Sequence, residues 1–310
     1  MRLRSPACRR VRRCRAPGRR APFPSVRWYR LGTQTDGAPV NGSPLAFALA
    51  FAALFGLVIG SFLNVVVYRV PAKIPLTRES RCPQCDAPVR PWQNVPVVSW
   101  LILRGKCASC GAPISARYPL VELATGLGFI GVAGLFLDGF LDAAKAPVIL
   151  AYLYLAAISI ALALIDLDTR RLPDVIVLPA YLVLAALFVV ACLLGAPWEG
   201  LLRAAIGGVA LYAFYFLLRL VRPGGMGGGD VKLAGVLGPA LGWLGWGSLI
   251  VGAFAAFLLG GVIGIARMLA RRATRKTAIP FGPWMIAGAW IGIVAGEDIA
   301  HWYLGLLGAS

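Results

Sequence analysis

Long apolar runs broken by short charged or glycine-rich intervals set the pattern of this chain. Segments 45–67, 119–137, 147–165, 174–194, 201–218, 231–247, 248–266 and 281–300 are each almost free of charge. Most reach the ~20 residues that a helix needs to cross ~30 Å of hydrocarbon. They predict about eight transmembrane helices, with the sixth and seventh split by almost nothing. The predicted fold class is therefore all-α, a polytopic membrane helical bundle in the lipid bilayer.

Composition agrees with the pattern. Of 310 residues, 59% are hydrophobic and only 14% charged, against roughly 25% charged in globular proteins. That balance excludes a disordered chain, a collagen-like fibre and an ordinary cytosolic enzyme. The net charge of +18 would point to nucleic acid in a soluble protein, but the position of the charges argues otherwise. Residues 1–43 hold eleven arginines and one acid, Asp36. They show no apolar periodicity and are expected to be a basic disordered extension or the product of a misassigned start. The segment also lacks the apolar stretch of a signal peptide. No nucleic-acid partner is expected.

The other charges alternate between loops. Loop 68–118 and the turns after the third, fifth and seventh spans are basic. The opposite loops carry Asp138, Asp142, Glu199, Glu297 and Asp298. The positive-inside rule assigns the basic loops to the cytoplasm. Both termini then fall outside, which leaves the arginine-rich extension on the wrong side of the first span and favours a misplaced start or a removed tail.

Two features in the basic loops carry chemistry. Cys82-Pro-Gln-Cys85 and Cys107-Ala-Ser-Cys110 have the ligand spacing of a tetrahedral structural zinc site. Four unligated thiols or a redox pair is the plainer alternative. Cys8, Cys14 and Cys192 have no partner at useful spacing.

The second feature is acidic. Asp166, Asp168 and Asp174 cluster at the end of the third span, and Gly227-Gly228-Gly229-Asp230-Val231-Lys232 enters the sixth. Acids beside a membrane span are costly and mark function. Taken singly, Asp230 could cap a helix, and Asp166 and Asp168 could pair with Arg170 and Arg171. Taken together on one face they suggest paired carboxylates that share a proton, as in aspartyl hydrolases. Lys232 would tune the pair or snorkel to headgroups. Glu122 would cap its span, pair with Lys106 or Arg117, or touch substrate. His301 and Trp243, Trp246, Trp290 and Trp302 read as interfacial residues.

The motifs in order resemble the type IV prepilin peptidases, membrane aspartyl proteases of the Gly-x-Gly-Asp class. Gly60–Arg69, the two cysteine pairs, Arg117–Leu123, Asp166…Leu172-Pro173-Asp174, Gly227–Lys232 and Ile279–Pro283 carry the likeness, which covers residues 45 to about 300. It implies Asp166 and Asp230 as the catalytic pair, with Asp168, Asp174, Gly227, Gly229 and Lys232 in support. It implies cleavage of prepilin and pseudopilin leaders at the cytoplasmic face of the bacterial inner membrane. It also implies N-methylation of the new terminus from S-adenosylmethionine, through the loop near Gly105 and Lys106. The expected domains are the extension 1–43, a first transmembrane helix 44–68, a cytoplasmic zinc-ribbon-like loop 69–118 and a membrane peptidase domain 119–310. A peptidase without methylation, an ion- or proton-translocating protein and a non-enzymatic pilin-binding assembly factor are the competing readings.

Overall fold

The computed structural model describes residues 43–137, 142–221, 226–270 and 280–308. The basic extension, Asp138, Arg222, Gly224, Gly225, Arg271, Arg272, Arg275, Lys276 and Ile279 lie outside the described residues.

Among the described residues, eight long helices follow the eight apolar segments. They are α1 (Ser43–Arg69), α3 (Arg117–Phe136), α4 (Lys145–Thr169), α5 (Asp174–Leu193), α6 (Trp198–Val221), α7 (Gly228–Leu244), α8 (Trp246–Leu269) and α9 (Gly282–Leu306). The short α2 (Val98–Ile102) lies in the cysteine loop, after a single 3-10 turn at Pro91–Asn94. Among the described residues there is no strand, only two isolated bridges in that loop. Among the described residues, six helices are long and apolar enough to cross a bilayer: α1, α3, α4, α5, α6 and α8. The other two depart for visible reasons. Helix α7 has only 17 residues, and α9 carries Glu297 and Asp298 in its second half. The division between the sixth and seventh segments falls at Gly245, where extended backbone separates α7 from α8.

Helices α4 and α7 form the centre. Helix α4 packs against α1, α3, α5 and α9, and α7 against α5, α6, α8 and α9. Nearly every residue of α7 is buried. Such a helix shows no amphipathic stripe, because its neighbours are protein on all sides. Glycines allow the closest crossings: a Cβ at Gly207 of α6 would come within 2.7 Å of the Gly238 carbonyl of α7. Without a hydrophobic drive between helices in lipid, close backbone approach of this kind supplies packing energy. Buried hydroxyls fix the register. Tyr152 of α4 donates to the Ala240 carbonyl at 2.5 Å, and Tyr181 of α5 donates to the Lys232 carbonyl at 2.6 Å.

Two tryptophans expected at the membrane interface belong instead to the interior. Trp243 is buried and stacks on Phe188 with ring centroids 4.4 Å apart. Trp290 donates its indole N–H to Ser159 Oγ at 3.2 Å. Trp246 and Trp302 are exposed, as an interfacial residue would be.

Candidate functional site

The central helices α4 and α7 bring Asp166 and Asp230 to the same end of the bundle. Asp166 sits in the last turn of α4 and is 4% exposed; Asp230 sits in the first turn of α7 and is 9% exposed. The two carboxylates are near enough to interact electrostatically. Each has one oxygen held by a backbone N–H from a helix start. Gly227 N–H donates to Asp230 Oδ2 at 3.1 Å, and Gly282 N–H donates to Asp166 Oδ2 at 3.1 Å. Helix N-termini leave such N–H groups unused and favour anions, so both acids are placed where the backbone can bind them.

Local sequence explains the placement. Helix α4 ends because Arg170 adopts left-handed backbone and its N–H closes on the Asp166 carbonyl at 2.8 Å. Pro173 then precedes α5. Between them Leu172 is wedged against two glycines. A Cβ at Gly229 would come within 2.9 Å of Leu172 Cβ, and one at Gly282 within 2.8 Å of Asp166 Oδ2. These positions exclude side chains so that α7 and α9 can approach the end of α4. Buried Tyr215 also interacts electrostatically with Asp230. It packs on Phe257 and Phe281. The role of Gly282 was not legible from its motif, because its partner lies 116 residues earlier.

The supporting acids are turned to other partners. Asp168 makes a two-pronged ion pair with Arg117 of α3, at 3.1 and 2.7 Å, not with Arg170 or Arg171. Asp174 accepts from Lys232 Nζ with both oxygens at 2.8 Å. Lys232 thus ties α5 to α7. Glu122 pairs with neither Lys106 nor Arg117. Its Oε2 accepts the Val97 N–H at 2.7 Å, and Ser61 also hydrogen-bonds to it. Val97 is a β-branched residue at φ 60, an unusual conformation for such a side chain. His301 lies 3.9 Å from Glu297 at the opposite end of α9, far along the chain from Gly282.

The cysteine loop forms a second centre at the same end as the dyad, since Arg117 closes the loop and holds Asp168. Its start is organised by buried Arg69, which donates to the Pro75, Leu76 and Arg78 carbonyls. Two matching turns follow. Cys82 N–H donates to Ala87 and Cys107 N–H to Ala112; Asp86 N–H returns to Cys82 and Gly111 N–H to Cys107. Asp86 and Gly111, each four residues after the first cysteine, both have positive φ. The turns face each other, and the four sulfurs of Cys82, Cys85, Cys107 and Cys110 lie within 4.8 Å of one another. The thiols act on one another: backbone N–H groups of Cys110 and Ser109 point at the Cys107 sulfur and pull its thiol down to about 6, while hydrogen bonds with the neighbouring sulfurs help push the Cys85 thiol up to about 12. This donor set can hold a metal ion. Gly105 has φ +67 and lies against the Trp100 ring, 2.8 Å from where a Cβ would stand, so it serves the second turn. Lys106 beside it is exposed.

Two family models match the two centres. The Bacterial Peptidase A24 N-terminal domain matches residues 54–136, which include the cysteine loop. The Type IV leader peptidase family matches residues 153–265, which include both aspartates. The chain belongs to the type IV leader peptidase family. Curated relatives agree over nearly their full length. Proteins named prepilin leader peptidase/N-methyltransferase are 38% identical in Stutzerimonas stutzeri, over 84% of this chain and 95% of the relative. The one in Pseudomonas aeruginosa is 39% identical, over 86% and 96%. That of Neisseria gonorrhoeae is 38% identical, over 83% and 95%. No solved structure matches the chain. Membership of this family and the long apolar helices make the chain a multi-pass membrane protein.

Proposed function

We propose that this family member cleaves the leader peptides of type IV prepilins and type II secretion pseudopilins and then N-methylates the new terminal residue. The single observation that carries the peptidase reading is the pair Asp166 and Asp230, buried at one end of the bundle with one oxygen of each held by a backbone N–H. Two buried carboxylates that feel each other's charge favour sharing one proton. The ionised one draws a proton from a water as that water attacks the scissile carbonyl. The protonated one donates to the carbonyl oxygen, and the resulting tetrahedral species collapses with proton return to the leaving amine. The Gly227 and Gly282 N–H groups keep the two Oδ2 atoms fixed while the other oxygens meet water and substrate. Asp168, Asp174, Gly229 and Lys232 support the pair through its surroundings. Carboxylates at helix ends, rather than at mid-membrane, favour a surface reaction over ion transport.

The basic loops favour the cytoplasmic side of a bacterial inner membrane for this end of the bundle. Residues 69–118 act as a metal-binding loop and 119–310 as the membrane peptidase domain. Zinc is the metal this donor set fits. A tetrahedral site with Zn–S of ~2.3 Å needs sulfurs about 3.8 Å apart, and Cys82 Sγ and Cys110 Sγ stand 3.8 Å apart. Four thiolates close the coordination shell, so the ion holds the two turns together. S-adenosylmethionine would supply the methyl group. Of the two loop residues assigned to it, Gly105 is taken up by the turn, while Lys106 is free to meet the donor's carboxylate. Mass spectrometry of a prepilin incubated with the purified protein and S-adenosylmethionine tests both activities. A shortened product with one added methyl at its N-terminus is expected. A shortened, unmethylated product removes the methyltransferase, and an intact prepilin removes both.

A further inference from the structure

The cysteine loop presents an apolar face that the catalytic and metal-binding readings leave unused. In α2, Trp100 turns inward: its indole N–H donates to the Ile114 carbonyl at 3.1 Å, and its ring covers Gly105. Val98, Leu101 and Ile102, at positions i, i+3 and i+4, share the other face and are exposed, Leu101 by 61% and Ile102 by 70%. Trp92, 53% exposed, and Val95 extend the same stretch just before it. An apolar patch of this kind outside the spans marks an interaction surface.

The position of the patch selects its partner. The loop leaves α1 at Arg69 and enters α3 at Arg117, so it begins and ends where two spans meet the bilayer. The Val97 N–H is held by Glu122, only five residues into α3. That bond fixes the start of α2 at the depth of the span's first turns. Exposed cations surround the apolar side chains: Arg90 before Trp92, and Arg104 and Lys106 after Ile102. Loop 68–118 as a whole has eight cations against Glu79 and Asp86. Apolar and aromatic residues on one side of a short helix, flanked by Arg and Lys, are the composition of segments that lie in the membrane interface and attract anionic lipid.

We propose that Trp92–Ile102 is a membrane-docking face: Trp92, Val98, Leu101 and Ile102 enter the headgroup and upper acyl region of the bilayer, and Arg90 and Arg104 meet anionic phospholipid headgroups. The surface is independent of the peptidase reading, because no carboxylate of the dyad takes part.

The test uses the full chain, loaded with metal, in nanodiscs of phosphatidylcholine with or without phosphatidylglycerol. The lipids carry a quenching label at either a shallow or a deep acyl carbon. The emission of Trp92 is taken as the difference between the wild type and Trp92→Phe. With phosphatidylglycerol present, the shallow label should remove about half of that emission and the deep label less, as expected for a segment ~5–10 Å into the interface. Omitting phosphatidylglycerol should weaken the quenching. The double variant Leu101→Glu, Ile102→Glu, checked for full metal content to show a folded loop, should lose it. Trp92 emission insensitive to both labels overturns the proposal. So does quenching independent of phosphatidylglycerol, or a face that instead cross-links to a second copy of the chain.

Discussion

Replacing Gly282 by alanine tests how finely the site is built. The new Cβ would stand 2.8 Å from Asp166 Oδ2, closer than a carbon and a carboxylate oxygen settle. Asp166 must retreat by roughly half an ångström to restore ordinary van der Waals contact. A displacement of ~1 Å of a reacting group can cost on the order of 100-fold in rate. The Gly282 N–H bond would lengthen as well, and a hydrogen bond to a charged group is worth about 1.5–3 kcal/mol. The two effects overlap, so the expected loss in kcat is about 10–100-fold, or ~1.4–2.7 kcal/mol in the barrier. Gly128→Ala in α3 is the control, because a Cβ there meets nothing within 4 Å. Initial rates of prepilin cleavage in detergent, with thermal melting of each variant, give the answer. Gly282→Ala should melt near the wild type and cleave slowly, and Gly128→Ala should match the wild type in both. Wild-type cleavage by Gly282→Ala would refute the reasoning that this helix start positions Asp166.

Three further outcomes follow from the same geometry. Asp168→Asn should retain cleavage within about fivefold, because its partner is Arg117 in a half-exposed pair worth about 0.2–1 kcal/mol; initial rates check this. Replacing Cys85 and Cys107 together by serine should abolish stoichiometric metal and expose loop 69–118 to protease, since metal binding supplies the folding energy of such loops. Elemental analysis and limited proteolysis read both effects. Lys106→Ala, which leaves the Gly105 turn intact, should still shorten prepilin but leave its new N-terminus unmethylated by mass spectrometry.

The parts of the fold legible in the sequence are those set by local pattern. Each apolar run became a helix, and the two Cys-x-x-Cys pairs became matching turns whose four sulfurs converge. Helix ends ran beyond the apolar runs, as at Asp166–Thr169 and His301–Leu306. Hydropathy falls at a charged residue, whereas a helix stops only when its backbone is capped. Burial was less legible: Trp243 looks interfacial by type and place, yet α7 is enclosed by four helices and buries it. The ion pairs were the least legible of all. Arg117 and Asp168 are 51 residues apart and Lys232 and Asp174 are 58 apart, whereas sequence proximity points to neighbours such as Arg170. Val97 and Glu122 met for the same reason, through a loop whose conformation no periodicity encodes.

The central claim is that Asp166 and Asp230 act as one proton-sharing pair. The direct measurement is prepilin cleavage in detergent by Asp166→Asn and Asp230→Asn, each purified as a folded, metal-containing protein. An amide can neither take the water's proton nor complete the shared-proton pair, so each single variant should lose cleavage entirely. The double variant should be no worse than either. Cleavage at the wild-type rate by either single variant would contradict the account.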